Sequence, residues 1–137
     1  MTLLVLDEQF TARSLVDGLR SRGLKVKTVK DFGVTQRTDP DVVRTVDAHH
    51  SGQWVLVTMD VTIVEEHRRF EWDRYAIAWI VIREDLSGAA VERAKANILH
   101  RWAHEIVALR RGDQHTYYES RRAKTRPSLA SQLKRKL

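Results

Sequence analysis

The chain contains three short, nearly unbroken apolar runs, Leu3–Leu6, Trp54–Met59 and Tyr75–Ile82, set between segments of helical periodicity. An apolar run of four to eight residues without polar alternation suits a strand covered on both faces, and a parallel sheet flanked by helices provides that cover. Strands alternating with helices imply right-handed crossovers and helices on both sides of one sheet. Leu3–Leu6 reads as the central strand, and Leu24–Val29, which alternates apolar and polar, as a less buried neighbour. In such sheets the functional crevice lies outside the carboxyl ends of the strands.

Punctuation between the strands fits this scheme. Phe10, Leu15, Val16 and Leu19 fall near one helical face over residues 10–22, and Gly23 stands where a left-handed helix stop is expected. Lys30 to Thr38 is a polar loop. Asp39 can cap the next helix, with Pro40 in the first turn where its missing N–H costs nothing; that helix runs to about His50 and closes at Ser51-Gly52. A further helix is predicted over Val61–Trp72. Residues 89–111 place Val91, Ala94, Ile98, Trp102 and Leu109 within one arc, predicting an amphipathic helix of about six turns, with Glu105 projecting into the same arc and either pairing with Arg101 or covering a gap near solvent.

At 137 residues the chain is the size of one domain with a core of its own. Polar and basic composition after Gly112 divides it into a domain over 1–111 and a loosely attached basic extension over 112–137. Charge is polarised in the same sense: residues 1–87 carry 12 Lys/Arg and 14 Asp/Glu, residues 88–137 carry 12 Lys/Arg and 4 Asp/Glu. This suits a protein that holds cations in one place and a polyanion or acidic partner in another, although a soluble surface with a basic tail has the same composition. Cysteine is absent, which removes disulfides and thiolate metal sites and suits a reducing compartment. The N-terminal apolar run stops at Asp7, short of a signal-peptide core, and no run approaches the ~18 residues of a membrane span. The expectation is a soluble cytoplasmic protein with no membrane partner.

The candidate chemistry is carried by acids at strand ends. Asp7 follows the first strand and Asp60 the third, so parallel strands bring both to one sheet edge, about 5 Å apart in backbone if the strands are neighbours. Asp39, opening the helix that leads to the third strand, can reach this edge from the adjoining loop. Two carboxylates so close repel unless one holds a proton or a cation neutralises them. Oxygen donors without nearby His or Cys suit Mg²⁺ or Mn²⁺ rather than Zn²⁺. Singly, each acid has a local explanation: Asp39 and Asp60 as helix caps, Asp7 and Glu8 as strand terminators.

The runs Leu3-Leu4-Val5-Leu6-Asp7-Glu8-Gln9-Phe10, Val29-Lys30-Asp31-Phe32-Gly33-Val34, Thr38-Asp39-Pro40-Asp41-Val42 and Val55-Leu56-Val57-Thr58-Met59-Asp60 together resemble the PIN-like domains related to the VapC toxins of bacterial toxin–antitoxin systems. The resemblance covers residues 3–83. It implies a three-layer α/β/α domain with a mainly parallel sheet, acting as a metal-dependent endoribonuclease with RNA as substrate and a cognate antitoxin as partner. By position, Asp7, Asp39 and Asp60 match the catalytic metal ligands, with Glu8 and Thr58 as support. Arg83 matches a basic residue ending the following strand and, with Arg121, Arg122 and Lys124, is a candidate RNA contact. Where the family commonly carries another acid, two residues past Asp60, this chain has Thr62, and Glu65 or Glu66 is the nearest replacement. A homo-oligomer is compatible with the resemblance.

Two other readings remain open. A phosphoacceptor receiver domain also places an acidic pair after strand one and an aspartate after strand three, although no Lys-Pro ends a final strand here. A PIN-like fold without activity, serving as a binding module, is compatible with Thr62. His100 and His104 have metal-ligand spacing but point away from the apolar arc, with no third ligand, and read as a solvated face. The six glycines form neither a dinucleotide fingerprint nor a P-loop.

Overall fold

The computed structural model describes residues 2–10, 12–33, 39–50, 52–60, 75–83 and 85–118, with side chains left out at 39–41 and 43. Five parallel strands form one sheet in the order β2-β1-β3-β4-β5: β1 Leu3–Leu6, β2 Lys25–Thr28, β3 Trp54–Thr58, β4 Ala76–Ile80 and β5 Gln114–Tyr117. Three α-helices are described, α1 Arg13–Ser21, α2 Asp39–His49 and α3 Ala89–Val107, with short 3-10 turns at Glu8–Phe10 and Val29–Phe32.

Period-two geometry sorts the strand residues onto two faces, and both are buried. Leu4, Leu6, Val55, Val57, Ala76, Ala78, Ile80 and Tyr117 pack with Leu15, Val16 and Leu19 of α1 and Ile98, Leu99 and Ile106 of α3. Leu3, Val5, Trp54, Leu56, Tyr75 and Ile77 face the other way, onto Val42 and Val46 of α2 and onto Val29. The arrangement is a three-layer α/β/α fold, as the unbroken apolar runs required. On the α2 side, Trp54 and Tyr75 stack with ring centroids 4.3 Å apart and planes 5° from parallel. The Trp54 indole N–H donates to Asp47 Oδ1 at 3.0 Å, so the buried ring keeps its polar edge satisfied.

Three expectations are corrected. The central strand is β3, with β1 beside it, because β4 and β5 both add on the far side of β3. The amphipathic helix ends at Val107 rather than 111; Leu109 still reaches the core, and Glu105 is exposed instead of lying in the buried arc. Most consequentially, the domain does not stop at 111. Gly112, at φ 88°, turns the chain and donates its N–H to Tyr75 O at 2.9 Å, after which Gln114–Tyr117 joins the sheet. The polar look of Gln-His-Thr-Tyr concealed a strand whose Gln114, Thr116 and Tyr117 are buried. The predicted helix over Val61–Trp72 lies outside the described residues.

Tyr117 is fully buried. Truncating a large buried aromatic costs about 3–5 kcal/mol, so Tyr117→Ala should lower unfolding free energy by about that amount in urea titration. A loosely attached extension would lose less than about 0.5 kcal/mol.

Candidate metal centre at the sheet edge

Parallel register sets the site. Leu6 lies opposite Val57, so the next residues, Asp7 and Thr58, stand side by side where the two strands end. The Asp7 N–H continues the ladder by donating to Val57 O at 2.9 Å. The chain then turns at once: Glu8 N–H donates to Asp7 Oδ1 at 2.9 Å and Phe10 N–H to Asp7 O at 2.9 Å, which caps the 3-10 turn and fixes the carboxylate plane.

Thr58 supplies the second constraint. Its hydroxyl donates to Asp7 Oδ2 at 2.7 Å and accepts the Asp60 N–H at 3.0 Å. One fully buried oxygen thus ties the acid after β1 to the backbone of the acid after β3. The separation is that of a well-formed O–H···O hydrogen bond. Each Asp7 oxygen accepts one protein hydrogen bond and retains further acceptor capacity.

Burial pushes the Asp7 carboxyl above its ordinary pKa of 3.8. The Thr58 and Glu8 hydrogen bonds oppose this shift, and the negative charges of Glu8 and Asp60 reinforce it. The folded state therefore holds the proton more tightly than the unfolded chain. Stability contributed by the protonated acid is fully present below 3.8 and is lost as pH rises through the higher folded-state value. At neutral pH the site carries an electrostatic cost that a bound cation would relieve.

Asp39 is the first residue of α2. Because α2 joins parallel strands β2 and β3, it runs back across the sheet from the carboxyl edge, so the Asp39 backbone stands on the carboxyl side of the sheet. Thr62, Glu65, Glu66, Arg121, Arg122 and Lys124 lie outside the described residues. Arg83 follows β4 at the same edge, exposed, its guanidinium gripping Asp85 through Nε at 3.0 Å and Nη2 at 2.5 Å. Among the described residues no group of three or more His, Asp or Glu is arranged to hold a metal. Asp7 and Asp60 stand as a pair of oxygen donors, a set that fits Mg²⁺ or Mn²⁺, since Mg²⁺ takes one or two carboxylates and completes its shell with water or substrate phosphate.

Sequence reasoning missed Lys95. It is buried on α3, where Nζ donates to Gln9 O at 2.6 Å and Glu92 Oε1 at 3.0 Å and lies 5.8 Å from the Phe10 ring centroid. A buried ammonium is tolerable only with such partners. Here it clamps α3 onto the turn that orients Asp7. The available signal was a lysine amid the apolar positions Ala94, Ile98 and Leu99. His100, by contrast, engages Arg22, whose Nη1 donates to His100 O at 2.6 Å and lies 3.2 Å from Nδ1, so it joins α3 to the end of α1 rather than a metal.

Among the described residues, no helix is long and apolar enough to cross a membrane. Comparison with known proteins yields no match to any family model, to any curated protein or to any solved structure.

The geometry makes two variants informative. In metal-free buffer, Asp7→Asn should melt higher than wild type at pH 7, and the wild-type fall in stability on raising pH above 3.8 should shrink in the variant, read by thermal melting across pH. Thr58→Val removes the hydroxyl from both acids. It should cost about 1–3 kcal/mol of stability and weaken Mn²⁺ affinity about 10–100-fold, as loss of a group orienting a ligand does, read by calorimetric titration.

Proposed function

We propose that this protein is a metal-dependent endoribonuclease of PIN-like type that cleaves RNA phosphodiesters at the edge formed by Asp7, Thr58 and Asp60. The observation that carries the reading is the hydroxyl of Thr58 bonded to the Asp7 carboxylate and to the Asp60 amide, with Asp7 half-buried and electrostatically burdened where parallel strands end. A purely structural pair of strand terminators has no need of that burden.

In this reading Asp7 and Asp60 hold Mg²⁺ or Mn²⁺, with Asp39 supplying a third carboxylate from the start of α2. The bound ion would lower the pKa of a water and neutralise charge on the scissile phosphate. Thr58 keeps both acids in register, the Glu8 amide holds the second Asp7 oxygen, and Lys95 secures the turn behind them. No nucleophilic side chain is required. The four motifs resembling VapC-related domains support a role as the toxin of a type II toxin–antitoxin pair in the cytoplasm, restrained by a cognate antitoxin.

One observation favours a second reading. Strand order 2-1-3-4-5, with Asp7 and Glu8 after β1 and Asp60 after β3, is also that of flavodoxin-like signalling receivers. Against it, β5 ends at Tyr117 and is followed by Tyr118, where that reading calls for a lysine.

Labelled single-stranded RNA incubated with Mg²⁺ or Mn²⁺ separates the alternatives. Divalent-dependent cleavage is expected from wild type, with loss of at least about 100-fold in Asp7→Asn and Asp60→Asn. A protein that cuts no RNA but takes up phosphate from acetyl phosphate on Asp60 would establish the receiver instead. If neither activity is found, the fold serves as a binding module.

A further inference from the structure

Strand β4 is buried along its length except at Trp79, which is half-buried. The exposure of the largest side chain in an otherwise covered strand calls for a reason, and its place in the register supplies one. Asp7, Thr58 and Trp79 occupy one row across β1, β3 and β4, since Leu6 pairs with Val57 and Thr58 with Trp79. Period-two alternation puts all three on one face of the sheet: they stand two residues beyond Val5, Leu56 and Ile77, which pack together on the side of α2. At one strand spacing the Trp79 backbone lies about 5 Å from that of Thr58, and at two about 10 Å from that of Asp7.

The ring is held toward the end of β3. Its indole N–H donates to Met59 O at 3.4 Å, the carbonyl immediately before Asp60. That bond satisfies the only polar atom of the side chain, so the rest of the indole is apolar π-surface. Trp54, on the same face at the opposite end of the sheet, differs: it is fully buried and stacked on Tyr75. Among the described residues no aromatic ring stacks on Trp79.

An anchored, half-exposed indole one strand from the acids suits a flat, neutral ligand. We infer that Trp79 is a stacking platform for a nucleobase, the one carried by the nucleotide next to the phosphate held at Asp7 and Asp60. The inference rests on the nuclease reading for the position of that phosphate. Stacking needs a base free of its pairing partner, so the platform selects single-stranded RNA or an unpaired loop. It tolerates any base, because each has a π-face. A protein partner's guanidinium would be drawn past the ring onto the carboxylates, whereas a neutral base gains nothing from them and settles on the indole.

The test measures binding of a fluorescein-labelled single-stranded RNA to the full chain in EDTA, where cleavage plays no part. Trp79→Leu keeps apolar bulk and removes the aromatic face; it should weaken binding about 5- to 150-fold, the range for one lost base–aromatic stack. Trp79→Phe should retain most of the affinity. A second arm needs only the wild-type protein: an oligonucleotide with the same ribose–phosphate backbone but no bases should bind at least about fivefold more weakly than intact RNA. Affinity that is unchanged in Trp79→Leu, or unchanged on removing the bases, would overturn the inference. An equal loss of affinity for the base-free backbone in Trp79→Leu would overturn it as well, since that marks a structural effect. Loss of oligoarginine binding in Trp79→Leu with RNA binding intact would assign the ring to a basic protein partner instead. Wild-type protein that shows the expected binding yet cuts no RNA with Mn²⁺ would support the platform and sink the nuclease reading; cleavage with binding indifferent to the ring would do the reverse.

Discussion

The hydroxyl of Thr58 is the interaction on which the site depends. It sits fully buried at the end of β3, donates to the carboxylate after β1 and accepts the amide of Asp60. Its placement follows from parallel pairing, since the register that aligns Leu6 with Val57 leaves Asp7 and Thr58 adjacent. A one-residue slip would turn the Thr58 side chain to the opposite face of the sheet and leave Asp7 without that partner. Packing of each face against its own set of helix residues opposes the slip, which would exchange the two layers. The same apolar packing that stabilises the fold therefore fixes the spacing of the two acids to within hydrogen-bond tolerance.

The helices contribute by closing the space around those strand ends. On one face, α3 brings Lys95 against the carbonyl of Gln9, so the turn after Asp7 is held from its rear as well as by its own amides. At the end of β2, Thr28 and Asp31 form a reciprocal capping box, with Asp31 N–H to Thr28 Oγ1 at 3.2 Å and Thr28 N–H to Asp31 Oδ2 at 2.8 Å. Arg20 reaches from α1 to donate to Val26 O at 3.1 and 2.8 Å. Short polar contacts of this kind order the chain where it leaves the sheet. An open groove lined by Glu8, Arg13, Arg20, Lys30 and Asp31 lies between α1 and the end of β2.

Most of the fold is legible in the sequence because burial on two faces leaves a strong mark. Leu3–Leu6 and Trp54–Thr58 read as strands, Gly23 as a helix stop, and Asp7 with Asp60 as neighbours across a sheet edge. β5 is illegible because its buried side chains are mainly polar or amphipathic; Gln114 and Thr116 carry no hydrophobic periodicity, and only Tyr117 hints at a core position. Strand order is obscured for a related reason, since an apolar run reports burial but not which neighbours provide it. Lys95 escapes a sequence reading because its partner is a backbone carbonyl 86 residues away, a relation without local signature.

We propose that Asp7 and Asp60 act together as a cation site rather than as separate strand ends. Electron paramagnetic resonance of free Mn²⁺ titrated with the protein tests it directly, because the free-ion signal falls as the ion binds. Wild type should take up Mn²⁺ at a site that is lost or weakened at least about tenfold in both Asp7→Asn and Asp60→Asn. Equal uptake by wild type and both variants would show that the two acids do not form a shared cation site.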